Sequence, residues 1–269
     1  MNIIEAVNSA LAAERTVSIG KSVCGNDILC AHRGGYSGRQ IIITAAIHAR
    51  ECYTALVVLR QLREFAGDSD DGVYFIPLVN PDGALFFQTG DTQGSEFLEA
   101  NASRNRMWKA NAEGVDLNCN FDANWGTGKY NKHTPGPSDY IGEYPLSAIE
   151  TRALAEFTEK VRPSATVSYH CMGGELYWQF FQDGKRLARD ERFASAIASH
   201  IGVKKVDGDL DSAGGYKDYC VQSLHIPAVT IELISDGAHP FFADDFLPDI
   251  QRNKSLPEFI LARLGDTEN

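Results

Sequence analysis

Ile3, Ile4, Val7, Ala10 and Leu11 recur at the spacing of one helical face and predict an amphipathic helix over residues 2–13. Residues 18–31 alternate and carry Gly20 and Gly25, the pattern of a strand, a turn and a strand. Residues 41–47, I-I-I-T-A-A-I, are almost continuously apolar and predict a buried strand; residues 73–79 repeat that pattern. Between them Ala55, Leu56, Leu59, Leu62 and Phe65 mark one face of a helix over residues 52–65, followed by a polar turn at 67–72. Asn80-Pro81-Asp82-Gly83 predicts a further turn. Short apolar runs predict strands over 165–169 and 228–233, and helical spacing recurs over 147–161, 190–201 and 246–264. Ser147 and Glu150 stand at the capping-box separation, and Pro163 ends the helix they begin. Strands that alternate with helices predict an α/β sandwich with a mainly parallel sheet. No repeat, low-complexity tract or linker interrupts it, so residues 1–269 read as a single domain.

From residue 84 to 147 the periodicity dissolves into Gly, Asn, Asp, Pro and aromatic residues. So long an irregular stretch inside a compact domain is usually functional rather than a linker. The apolar fraction of 43% and charged fraction of 23% are those of an ordinary globular chain with ample core material. A formal net charge of −11 argues against nucleic acid or an anionic membrane as partner, since both call for a positive surface. No apolar run approaches the roughly 20 residues of a membrane span. The first residues lack a basic segment followed by an apolar one, so the expectation is cytoplasmic, although a secreted chain after removal of its signal would look the same. Six scattered cysteines without a C-x-x-C pair read as free thiols.

Chemistry enters where the apolar runs stop. His48 with Glu51, Asn80 with Asp82, His170, and Glu232 each follow or close such a run. If those strands are parallel, their carboxyl ends meet along one sheet edge, where α/β proteins bind ligands. Two imidazoles and a carboxylate there (His48, Glu51 and His170) make a three-ligand zinc site with a fourth position open to water. Glu232 then supplies a general base for that water. Each residue alone has a plainer reading: a chance H-x-x-E, a satisfied strand-end histidine, a carboxylate that caps or pairs. The four strand ends together favour the metal site.

The chain resembles the zinc carboxypeptidases. The likeness rests on S-I-G-K-S-V-C-G, A-I-H-A-R-E, V-N-P-D-G, R-M-W-K, G-V-D-L-N-C-N-F-D, P-L-S-A-I-E-T-R, S-Y-H-C, A-G-G-Y-K-D and V-T-I-E-L, in family order. It implies a single α/β domain with a mixed eight-stranded sheet between helices. It also implies one zinc per chain on His48, Glu51 and His170, with Glu232 as catalytic base. Arg50 falls on a substrate-binding arginine, and Asn118 on an asparagine that holds the substrate's terminal carboxylate. Three places depart from the family pattern. Cys119 stands where a clamping arginine is usual, and a thiol cannot reproduce a guanidinium fork. Lys109 takes the place of an oxyanion-stabilising arginine and retains the charge. The family's flexible-loop tyrosine has no counterpart around residues 210–212, leaving Tyr216 or Tyr219 as substitutes. Lys217 falls near the base of the specificity pocket, where it would favour a substrate carboxylate. Together these imply a murein-type peptidase that cuts γ-D-glutamyl–diaminopimelate bonds in small muropeptides. The alternatives are a carboxypeptidase that prefers acidic residues, a deacylase of N-acylated amino acids, or a zinc scaffold without catalysis. Cobalt or manganese would also suit the ligands.

Overall fold

The computed structural model describes residues 2–208 and 211–266. In chain order they form α1 (Ile3–Leu11), β1 (Arg15–Lys21), β2 (Asp27–Gly34), β3 (Gln40–Ala45), α2 (Ala55–Glu64), β4 (Gly72–Ile76), α3 (Pro81–Thr89) and α4 (Glu96–Ala100). There follow α5 (Ile149–Val161), β5 (Ala165–Cys171), β6 (Glu175–Tyr177), α6 (Gly184–Ile201), β7 (Lys204–Val206), α7 (Tyr216–Gln222), β8 (Ala228–Leu233), α8 (Leu247–Asn253) and α9 (Leu256–Asp266). The strands make one mixed eight-stranded sheet in the order β1-β2-β4-β3-β5-β8-β6-β7. The four apolar runs of the sequence are its four contiguous central strands, β4, β3, β5 and β8, all mutually parallel. Their lack of polar alternation has a simple cause: helices cover both faces. Ile41, Ile43, Phe75, Val167 and Ile231 enter the core on one face, while Ile42, Ile76 and Ala228 enter that on the other. All seven residues of β5 are buried.

The last two strands at one end of the sheet, β6 and the edge strand β7, have three residues each, too few to leave a period in the sequence. Asn80–Gly83 is not a turn but the start of α3. The Asn80 side chain caps the Gly83 N–H at 3.0 Å and Pro81 occupies the first turn, where a missing N–H costs nothing. The helix read over 52–65 begins at Ala55, after a 3-10 turn at Ala49–Thr54. The helix read over 246–264 is broken in two, with Pro257 in the first turn of α9, a position a proline tolerates. No helix among the described residues is long and apolar enough to cross a membrane.

The capping box at Ser147 does not form. Ala148 is the N-cap without a side-chain bond, and Ser147 Oγ instead accepts from Asn120 Nδ2 at 3.0 Å. Glu150 turns inward, accepting from the Val23 N–H at 3.1 Å and from Asn111 Nδ2 at 3.0 Å. Asp82 alongside accepts from Ser22 Oγ, the Cys24 N–H and Asn26 Nδ2, which ties the β1–β2 turn to α3. Burial pushes the Glu150 carboxyl from its ordinary 4.5 up to about 7. A raised folded-state value means the native protein binds this proton more tightly than the unfolded chain does. The associated stability is therefore complete at low pH and lost as pH rises from about 4.5 through about 7. It amounts to roughly 3 kcal/mol. Urea unfolding at about pH 5 and about pH 8 should show the wild type losing that much more than Glu150→Gln. Equal pH slopes in the two proteins would exclude it.

Candidate active site

β3 stops at Ala45 because Ala46 turns into the left-handed region, φ 53°, and the chain swings out into the 3-10 turn at Ala49–Thr54. His48 caps that turn and Glu51 lies within it. His170 sits one residue from the end of β5, in register with Glu232 on the adjacent parallel strand β8. Strand pairing alone therefore sets Glu232 beside His170. Ligating atoms of His48, Glu51 and His170 lie within 4.8 Å of one another, and all three residues are buried. His48 Nδ1 is 2.8 Å from Glu51 Oε1, and His170 Nδ1 is 3.1 Å from Glu51 Oε2 and 3.2 Å from His48 Nδ1.

The far nitrogen of His48, Nε2, lies 3.2 Å from Asp116 Oδ1. A carboxylate only accepts, so Nε2 carries the hydrogen and Nδ1 turns its lone pair on Glu51. Two lone-pair bearers face each other at 2.8 Å, and only a cation between them relieves the contact. Without a metal, a proton does this. Burial opposes charge on His48, but Glu51 and Asp116 outweigh it and push the imidazole up to about 9. Burial likewise opposes the Glu51 charge, yet the two imidazoles hold its carboxyl well below the usual range. Burial dominates at His170 and moves it down. Two imidazoles and one carboxylate suit zinc.

Glu232 is pushed up to about 8, first by burial and then by the charge of Glu51. Lys109 places Nζ 3.4 Å from Asp116 Oδ2, and although burial opposes its charge, Asp116 and Glu51 raise it and keep it an ammonium. Its segment is bolted to the metal turn: the Ala49 and Arg50 N–H groups donate to the Lys109 and Trp108 carbonyls at 3.0 and 2.8 Å. Asn80, wholly buried, donates Nδ2 to the Ala110 carbonyl at 3.0 Å and to the Ile47 carbonyl at 3.3 Å. One side chain thus joins the residue before His48 to the residue after Lys109.

Asp116 lies within G-V-D-L-N-C-N-F-D, a stretch whose sequence alone gives it no role. It is fully buried and gathers His48, Lys109, the Asn118 N–H and the Asp139 N–H. Asn118 Oδ1 accepts the Tyr216 N–H at 3.0 Å, which fixes the amide. Cys119 follows it, its thiol pushed well above the usual range by burial and by Asp116. Arg50 keeps Nε buried without a hydrogen-bond partner among the described residues. His239, which no pattern in the sequence marks, rests Nε2 3.2 Å from the Cys171 carbonyl; burial and then Arg50 lower its basicity.

Two expectations are corrected. Tyr216 is no pocket tyrosine: it is fully buried, with its hydroxyl 2.8 Å from Thr158 Oγ1. Tyr219 is equally committed, donating its hydroxyl to Glu159. Lys217 has no free charge to offer, because Nζ lies 2.5 Å from Asp218, donates to the Gln179 carbonyl at 3.0 Å and stands over the Phe180 ring at 5.2 Å. All three residues belong to α7, a seven-residue helix too short to leave a clear period in the sequence. Of the loop at 210–212, Leu210 lies outside the described residues.

The family profile described as zinc carboxypeptidase matches residues 4–254. Gamma-D-glutamyl-L-diamino acid endopeptidase 1 of Lysinibacillus sphaericus is 29% identical over 91% of this chain and 67% of its own length. Metallocarboxypeptidase A of Trichophyton rubrum is 26% identical over 86% of this chain and 62% of its own. The chain thus spans about two thirds of the length of these curated relatives. Bovine thrombin-activatable fibrinolysis inhibitor superposes with a TM-score of 0.78 at 19% identity, covering 98% of this chain and 95% of that one. The murein-tripeptide amidase of Escherichia coli O157 superposes with a TM-score of 0.62 at 21% identity, with 90% of each chain covered. Both share the fold described above.

Proposed function

This chain belongs to the zinc carboxypeptidase family, and from that premise we propose that it hydrolyses the γ-D-glutamyl–diaminopimelate bond of small murein peptides. The observation that carries the substrate class is the similarity, along 91% of the chain, to an endopeptidase named for the γ-D-glutamyl–L-diamino acid bond, a class that includes diaminopimelate. The solved murein amidase, covering 90% of the chain, agrees with it in fold. Cys119 adds support, because the usual arginine clamp on a C-terminal α-carboxylate is missing there. Lys217, already neutralised by Asp218, contributes nothing to this reading.

His48, Glu51 and His170 would hold one zinc ion, whose chemistry when bound is to polarise the scissile carbonyl and to acidify a water. Glu232 removes a proton from the attacking water and passes it to the departing amine, so that the acid and amine products balance the water consumed. Lys109 sets its ammonium against the oxyanion that develops at the carbonyl. Asp116 holds His48 in the correct tautomer and keeps Lys109 charged and in place. Asn118 and Arg50 meet the substrate's polar groups, with Cys119 alongside.

Elemental analysis of the purified protein should find one zinc per chain, and incubation with L-alanyl-γ-D-glutamyl-diaminopimelate should release diaminopimelate. Zinc with cleavage of a C-terminal acidic peptide, and none of the muropeptide, would replace the substrate class by an acidic-residue carboxypeptidase. A protein that takes up no zinc would overturn the reading altogether.

A further inference from the structure

We propose that His239 and Arg50 form a subsite that reads the α-carbon of a γ-linked D-glutamyl residue, Arg50 taking its carboxylate and His239 its amide N–H. The inference rests on the substrate class proposed above. Cys171 links the metal ligands to this imidazole: its N–H donates to Glu51 Oε2 at 3.2 Å, and its carbonyl accepts His239 Nε2–H at 3.2 Å. A carbonyl has no proton to give, so Nε2 must carry the hydrogen and Nδ1 of the neutral ring is left as an acceptor. Phe241 packs against the ring, centroids 4.8 Å apart and planes at 64°, and holds its orientation. Arg50 directly precedes the ligand Glu51, and its backbone is pinned to the Trp108 carbonyl at 2.8 Å.

His239 Nδ1 and Arg50 Nε are both buried, and neither has a partner among the described residues. One is an acceptor and the other a cationic donor, both at the rim of the same metal centre. Buried polar groups are almost always satisfied, so an unmatched pair of opposite kind beside a reacting centre marks the outline of a ligand. A γ-linked glutamyl residue has that outline. Its side-chain carboxyl forms the scissile bond, so its α-carbon, a short methylene chain away, still carries a free carboxylate and an acylated nitrogen. An α-linked residue presents no free carboxylate there. The carboxylate suits the guanidinium, and the N–H suits the imidazole lone pair.

The test crosses the residue with the substrate atom it is said to touch. N-acetyl-γ-D-glutamyl-diaminopimelate has the nitrogen; glutaryl-diaminopimelate keeps the carboxylate and lacks it. Zinc-loaded wild type should favour the first in kcat/KM by about 10- to 100-fold, the range for a buried polar group left unpaired. His239→Phe, which keeps an aromatic ring against Phe241, should reduce that preference to within about threefold. His239→Gln, which can offer an acceptor while donating to Cys171, should restore part of it. An equal loss on both substrates, or a preference that survives in His239→Phe, would overturn the subsite alone. A wild type that hydrolyses neither compound would remove the γ-glutamyl specificity and the subsite with it.

Discussion

Glu232→Gln is expected to bind one zinc as the wild type does and to lose roughly 10²- to 10⁴-fold in kcat, the usual worth of a positioned general base. The substitution preserves volume and removes only the capacity to take a proton. Glu232 stands outside the converging group: among the described residues, the atoms placed to hold a metal belong to His48, Glu51 and His170. Its place beside His170 comes from the β5–β8 pairing, which the amide does not disturb. Burial and the neighbouring Glu51 raise its carboxyl to about 8. A bound cation would oppose that rise and favour the ionised carboxylate, the form that can take a proton from water. Elemental analysis paired with kcat on the muropeptide decides the matter. An unchanged kcat would take Glu232 out of the mechanism, and a loss of zinc would make it part of the metal site.

Asp116→Asn is expected to weaken zinc binding by about 10- to 100-fold, the common cost of losing the outer partner of a ligating histidine. An amide can present Nδ2–H to His48 Nε2, which then turns its hydrogen to Nδ1, the atom that must bear a lone pair for the metal. The same change removes the carboxylate 3.4 Å from Lys109 Nζ and leaves a buried ammonium without its closest counter-charge. Breaking such a pair typically costs about 3–5 kcal/mol. Competition titration with a zinc chelator and urea unfolding measure the two effects separately. A variant with wild-type zinc affinity would show that Asp116 serves the fold and not the metal. Unchanged unfolding would show that Lys109 finds another counter-charge.

The amino-acid sequence by itself determined the central sheet and the group of side chains, His48, Glu51 and His170, that could hold a metal ion. Residues 41–47, 73–79, 165–169 and 228–233 are apolar throughout because strands covered on both faces have no polar side, and those runs are the four parallel strands. His48 and Glu51 stand a single 3-10 turn apart, while His170 and Glu232 close such strands, so a local pattern and parallel order bring them together. Tertiary structure decided everything that depends on who else is near. Tyr216 and Lys217 look like pocket residues as letters in a chain; in the fold Thr158 takes the hydroxyl and Asp218 the charge. Glu150 reads as a helix cap and is instead a buried carboxyl bonded to Val23 and Asn111. Asp116 and Asn80 come from stretches read as irregular or as a turn, and their roles arise from bonds to His48, Lys109, Ile47 and Ala110. Periodicity reports which side of an element faces apolar surroundings, and residue type reports what a group can do. Whether its hydrogen bonds and charge are already satisfied depends on long-range neighbours, and that is settled only when the chain closes on itself.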